Sequence, residues 1–267
     1  MKYKRINYKI IMEKINWYGA YTLTLREVKR FLRVYNQTIL TPVASSLIFL
    51  AVFVLAIGVN RPDIDGVKFI DFMGYGLIAM SIIQNAFANS SSSFIMSKVI
   101  GYITDILSPP LGSAEIIFAF TIGSVLRGLL VGVAVTIALA PFINYTLQYP
   151  LLMIFYLLAS CTLLGKLGIL SGLIANTFDQ HSAITSYLIT PLSFLSGTFY
   201  SVKVLPLFFQ QINLVNPFFY IIDGFRYCIT GKADGSILAG IFFLMLANII
   251  LYFVLDKAIK TGWRIKS

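Results

Sequence analysis

The sequence predicts an all-α polytopic membrane protein with six transmembrane helices. An amphipathic N-terminal interface helix precedes them, and a re-entrant helical segment lies between spans five and six. Three observations carry this expectation. Of 267 residues, 58% are hydrophobic and 12% charged, about half the charged share of a soluble domain, and the mean hydropathy is +0.82. Apolar runs of roughly 20 residues, enough to cross a bilayer as helix, recur along the chain. The basic residues sit mainly at the two termini beside those runs, so the net charge of +10 reads as membrane orientation and not as nucleic-acid binding. No second soluble domain and no internal repeat is visible. The chain is expected to form one domain over 1–267: a cytoplasmic amphipathic region (1–38), a membrane domain (39–255) and a cytoplasmic tail (256–267).

Taken in order, residues 1–38 hold nine Lys and Arg and no long apolar run. Trp17, Tyr21, Leu25, Val28, Leu32 and Tyr35 recur at helical spacing on one face, with Arg26, Lys29, Arg30 and Arg33 opposite. Such a helix suits the bilayer interface. The first apolar run begins too late for a cleavable signal. Spans are expected at 39–58, 72–93, 115–142, 150–176, from about 184, and at 237–255. The latter half of span two carries Ser81, Gln84, Asn85, Asn89 and Ser92 near one face. Span five carries Ser182, Thr185, Ser186, Ser193 and Ser196. These polar faces fit either a route for a polar or amphipathic molecule or hydrogen bonds between helices.

The long connection between spans two and three contains YITDILSPPLG, where Pro109 and Pro110 stop any helix and Asp105 is a candidate N-cap. The stretch 191–226 is broken by Gly197, Pro206 and Pro217. It is too broken for one span and too apolar for an exposed loop, which fits a re-entrant segment shielded by protein. With six spans, fourteen of the 21 Lys and Arg fall on the side of the termini and five on the other. This places both termini in the cytoplasm and 191–226 toward the outer side.

The chemistry-bearing residues exclude several classes. His181 is the only histidine, no HExxH is present, and no glycine stands five positions before Gly165-Lys166 or Gly231-Lys232, so there is no phosphate-binding loop for ATP. The chain is not expected to be an enzyme and needs no cofactor. Cys161 and Cys228 lack CxxC spacing and read as small buried hydrophobes. Asp179 and His181 read as part of a solvated turn. Arg127, at mid-span, and Lys166 are charges at depth, which are costly and mark either a pathway or a structural contact; Glu115 is a candidate partner for Lys166. Gln84, Asn85, Arg127 and Ser193 are the candidate pathway residues. Gly128/Gly132 and Gly168/Gly172 are small-residue pairs that allow close helix packing. An ion-coupled secondary transporter would need acidic or histidine relays at depth, which the sequence lacks. A membrane enzyme would need a nucleophile–base or metal constellation. A scaffold protein would have no use for the broken segment.

The run from Thr190 to Tyr227 resembles the signature region of ABC-2 type transport permeases. Its matching positions are Pro191, Phe194-Leu195-Ser196-Gly197, Phe199-Tyr200, Leu205-Pro206, Asn216-Pro217 and Arg226. The N-terminal helix, six spans and LSPPLG connection agree, and the likeness is greatest to the branch of nodulation-factor, capsule and O-antigen export permeases. The resemblance implies the membrane-spanning subunit of a bacterial inner-membrane ATP-binding cassette exporter. It implies a homodimer bound to two separate ATPase subunits and cargo that is a lipid, glycan or other amphipathic molecule. It further implies that Arg26 and Arg30, with Asp105, Ile106, Leu107 and Pro109, face the ATPase. By the same likeness Gly197, Phe199, Tyr200, Pro206, Pro217 and Arg226 form an outer gate.

Overall fold

The computed structural model describes residues 16–57 and 62–264; residues 1–15 of the expected N-terminal region lie outside that range. Among the described residues there are helices and one isolated two-residue bridge, Ile64 with Val67, but no strand. Helix α1 spans Trp17–Arg33, α2 Thr41–Ile57, α3 Phe69–Ile100, α4 Ile103–Leu107, α5 Ser113–Leu139 and α6 Pro150–Ile174. They are followed by α7 (Phe178–Ile184), α8 (Thr190–Leu195), α9 (Leu207–Leu214), α10 (Pro217–Thr230) and α11 (Ile237–Thr261). Four stretches among them are long and apolar enough to cross a membrane: Asn36–Leu55, Ser113–Leu139, Pro150–Ile174 and Ile237–Thr261. The expected spans two and five correspond to α3 and to the stretch from α7 to α8, where serines, asparagines and threonines dilute the apolar content.

Helix α3 is the centre of the fold. Its 32 residues would run about 48 Å, and most of its side chains are buried between α5 and α6, with α2 and α10 alongside. Close approach comes from small residues on α6. A Cβ at Gly172 would lie 2.7 Å from Phe94 Cβ on α3, and one at Gly165 would lie 2.8 Å from Ser124 Cβ on α5. At Gly128 of α5, the nearest atom to a Cβ would be Cys161 Sγ at 2.9 Å. Both glycine pairs singled out in the sequence thus sit at helix crossings, as their spacing requires, and both cysteines are buried and free.

Helix α1 begins at Asn16, whose Oδ1 accepts from Gly19 N at 2.9 Å, satisfying one of the donors that a helix start leaves open. The face it buries on α5 is not the expected aromatic one, of which the Trp17 ring meets α5 edge-on to Phe118, with centroids 6.4 Å apart. Ala20, Leu23, Glu27 and Phe31 are buried, while Trp17, Tyr21, Leu32 and Tyr35 remain exposed. The α3–α5 connection forms α4, but its N-cap is Tyr102 with no side-chain cap. Asp105 lies inside the first turn, so the expected capping role is not observed.

The chain gathers two ends. At one, Asn16 N donates to Glu115 Oε1 at 3.1 Å, Ser113 Oγ donates to Asp256 Oδ1, and Arg264 Nη1 donates to Ile174 O at 3.0 Å. Lys98 is buried here. Its Nζ donates to the carbonyls of Leu173 at 2.9 Å and Ala175 at 2.8 Å and to Asn176 Oδ1 at 2.8 Å. It therefore fills the open acceptors, and neutralises the negative pole, at the end of α6. Lys98→Met keeps the stem and removes those bonds. It is expected to cost about 2 kcal/mol, the size of a charged hydrogen bond, seen as a lower unfolding temperature in detergent. At the opposite end, Asp71 Oδ1 accepts from Asn144 N at 3.0 Å, and Gln148 and Tyr149 N–H groups each donate to Cys228 O at 3.0 Å.

Candidate functional site

Between the two ends lies a polar groove of about 360 Å³. Its walls are the start of α2, the face of α3 from Gln84 to Ser92, Arg127 of α5, and the stretch from His181 to Thr190. The two bordering helices share an irregularity. Each contains a wide π-helical turn, Asn36–Leu40 and Thr185–Ile189, and each turn ends two residues before a proline, Pro42 or Pro191. A proline lacks the N–H for the i−4 carbonyl and its ring crowds that carbonyl, so a widened turn relieves the contact. Gln37, Thr185 and Ile189 of those turns all line the groove.

On the floor, Asn85 Nδ2 donates to Ser81 O at 3.0 Å. That fixes the amide so that its Oδ1 accepts from Arg127 Nη2 at 3.2 Å. Arg127 Nε is buried without a partner, as is Ser91 Oγ. Next to it, Arg30 of α1 reaches across to α3. Its Nη2 donates to Asn89 O at 2.6 Å and to Asn89 Oδ1 at 3.0 Å, and its Nη1 to Ser92 Oγ at 3.3 Å. Glu27, fully buried, takes Arg30 Nε at 3.3 Å and Ser93 Oγ at 2.8 Å. His181 does not sit in a solvated turn. It is half-buried with its ring nearly parallel to Phe87, centroids 6.3 Å apart, and Nδ1 3.3 Å from Ser171 Oγ.

Of the candidate pathway residues, Gln84, Asn85 and Arg127 come together here. Ser193 is elsewhere: its hydroxyl donates to Ile189 O at 2.7 Å and its carbonyl accepts Thr198 Oγ1 at 2.8 Å, so it ties off the turn after α8. Lys166 donates to Asn248 O at 3.1 Å and Oδ1 at 3.0 Å of α11, and not to Glu115, which is engaged by Asn16. Sequence reading missed Glu27. Its one signal was an acid inside the buried stripe of α1, three residues before Arg30.

The six residues expected at an outer gate lie at the end where Asp71 meets Asn144. Helix α8 stops at Leu195, and Gly197 turns the chain at φ +80°, a left-handed conformation that favours glycine. Arg226 is buried. Its Nη2 donates to Gly197 O at 2.8 Å and its guanidinium lies 3.6 Å from the centre of the Phe72 ring. It anchors the turn from inside the fold. Phe199 stacks on Phe53 at 4.8 Å and Phe194 at 5.4 Å, and Tyr200 OH donates to Phe194 O at 3.2 Å. Pro206 precedes α9, and Pro217 opens α10 behind Asn216, whose Oδ1 accepts from Phe218 N at 3.1 Å, the placement proline prefers. Asp234 holds the return loop by accepting Ser201 Oγ and Val202 N, both at 2.8 Å. Lys203 joins Asp65 at 3.2 Å and Asp234 at 3.6 Å. Partial burial lowers the Lys203 pKa, but these carboxylates outweigh it and the net direction is upward.

The residues expected to face an ATPase lie at the other end. The Arg26 guanidinium sits 5.2 Å from the Tyr102 ring centre, and Asn16 Nδ2 donates to Pro110 O at 3.4 Å, so α1 and the α3–α5 connection make one continuous surface. Asp105, Leu107 and Pro109 are exposed on it, whereas Ile106 is buried. Arg30 points away from it, onto Asn89 and Ser92 of α3.

Among the described residues the chain is thus a helical bundle with four stretches long and apolar enough to cross a membrane and a polar groove among its helices. The profile of the ABC-2 type transporter family matches residues 18–230, and the chain belongs to that family. It is 32% identical over 256 residues to the inner membrane transport permease YadH of Escherichia coli K12, covering 96% of this chain and 100% of that one. It is 25% identical over 252 residues to nodulation protein J of Rhizobium leguminosarum bv. viciae, covering 93% of each. With nodulation protein J of Rhizobium meliloti it shares 24% over 222 residues, 81% of this chain and 82% of that one. It is thus a multi-pass inner-membrane permease subunit of an ABC transporter.

Proposed function

We propose that the chain moves a lipid, glycan or other amphipathic molecule outward, driven by ATP hydrolysed on a separate subunit. Two ATPase copies would bind a permease homodimer, and the chain would cross the membrane six times with both termini cytoplasmic. In this reading α1 lies in the inner interface with Trp17, Tyr21 and Tyr35 toward lipid, and the helices α8–α10 form the re-entrant outer gate. The observation that carries it is the packing of α1 and the α3–α5 connection into one exposed surface, at the end of the bundle opposite the Gly197–Arg226 turn. Nucleotide-driven movement of that surface would shift the bundle between inward-open and outward-open populations. An ion-coupled carrier fits less well, because the groove presents arginine and amides, and the buried Glu27 is already paired with Arg30.

Leu107 is the residue to test, since Ile106 is covered by its own chain. Leu107→Asp, co-expressed with the cognate ABC ATPase, is expected to lower co-purification and stimulated ATP hydrolysis by about tenfold, the loss of one apolar anchor at an interface. The variant alone should unfold at the wild-type temperature. A complex of unchanged yield and activity would refute the coupling role.

A further inference from the structure

We infer that the groove is a binding site for an oxyanionic headgroup, phosphate or carboxylate, of an amphipathic ligand, with Arg127 as the residue that takes the charge. This deepens the proposed export function and rests on it for the identification of that ligand as cargo. Arg127 stands at the middle of the 27-residue α5, where an ion is costly unless compensated. Among the described residues it has no carboxylate partner. Its single hydrogen bond goes to a neutral amide, its Nη1 makes none, and its Nε is buried without one. Arg30, the cation that α1 sets against α3, has Glu27; Arg127 has no counterpart. An unpaired guanidinium offers a planar fork that matches two oxygens of a phosphate or carboxylate.

The rest of the groove suits the same ligand. Gln84, Ser91, Ser92 and Thr185 bring neutral hydrogen-bonding groups around the arginine, with no acidic residue among the lining groups to repel an anion. The helices that border the groove carry exposed apolar side chains: Ile48 and Val52 on α2, and Tyr187 and Leu188 on the stretch before α8. A charged floor between apolar flanks fits a molecule with an anionic head and a hydrocarbon body better than a free ion.

The test uses the purified full chain in nonionic detergent, without ATPase or nucleotide. It therefore cannot fail because energy coupling was misassigned. Binding of dioctanoyl phosphatidic acid, dioctanoylglycerol and inorganic phosphate is measured by native mass spectrometry. Phosphatidic acid is expected to bind at least about tenfold tighter than dioctanoylglycerol, as one charge-assisted contact provides. Arg127→Gln should erase that difference, and Arg127→Lys, which keeps the charge but not the planar fork, should keep only part of it. Asn85→Asp, which supplies an internal carboxylate beside Arg127, should erase it too, and it serves if Arg127→Gln does not fold. Displacement by inorganic phosphate would support an anion site that needs no lipid. Failure of phosphate to displace would support one that requires the lipid-borne headgroup. Equal binding of the two lipids to wild type, or a preference undiminished in folded Arg127→Gln or Asn85→Asp, would overturn the site.

Discussion

Gly168→Ala is expected to remove most of the folded protein. Helix propensity alone favours the change, since alanine in a helix interior is better than glycine by about 1 kcal/mol. Packing decides against it. A Cβ at Gly168 would stand 2.6 Å from Phe87 O and 2.9 Å from Ser91 N, with Ser90 Oγ also in the way. Two of these atoms are α3 backbone and cannot rotate aside, so α6 must separate from the helix at the centre of the fold. Overpacking a tight core costs about 1–3 kcal/mol, and more where backbone must move. The upper end applies here, because the displacement would also strain the bond from Ser90 Oγ to Gly165 O. Gly128→Ala is the comparison. Its nearest neighbour is the side-chain Sγ of Cys161 at 2.9 Å, and the nearest backbone atom, Ile82 O, is 3.3 Å away, so its loss should be smaller. Fluorescence-detected size exclusion and thermal unfolding in detergent would rank the two. A Gly168→Ala protein as stable as Gly128→Ala would show that the α3–α6 contact is looser than described.

What the sequence disclosed about this fold was what local chemistry determines. Pro150 starts α6 and Pro217 starts α10 because proline is at home in a first helical turn. Gly197 breaks the chain because only glycine adopts its φ readily. The polar face of α3 was visible as a period of serines and asparagines, and three of the four candidate pathway residues do meet there. What stayed hidden were the side chains whose surroundings come from distant parts of the chain. Lys98 is held by carbonyls some 75 residues away, and Arg30 by α3, 59 residues on; nothing in the neighbouring sequence marks either. The face of α1 was hidden for another reason. In water an apolar stripe packs on protein, but beside a bilayer it can as well face lipid, so periodicity alone could not say that Ala20, Leu23 and Phe31 would dock while Trp17 and Tyr35 stayed outside.

Glu27→Ala is expected to undo that docking, with a second effect on transport. The carboxylate is fully buried and accepts from Arg30 and from Ser93. Removing it leaves Arg30 without its carboxylate, and breaking one side of a buried pair costs about 3–5 kcal/mol; the lower end applies here, because Arg30 is 23% exposed and keeps Asn89 and Ser92. Glu27→Gln retains an acceptor for Ser93 and the side-chain volume, so its loss should be about half as large, the share of the lost charge. If the pair is the cause, removing both partners must hurt less than the single losses added together. Glu27→Leu with Arg30→Leu should recover about 2 kcal/mol in a double-mutant cycle. The same pair links α1, proposed to face the ATPase, to Asn89 and Ser92 of α3, of which Ser92 lines the groove. Double-leucine protein that is folded yet gives poorly stimulated ATP hydrolysis, while still binding the ATPase, would identify the pair as a mechanical link. Normal stimulation in that protein would reduce Glu27 to a structural staple of the N-terminal helix.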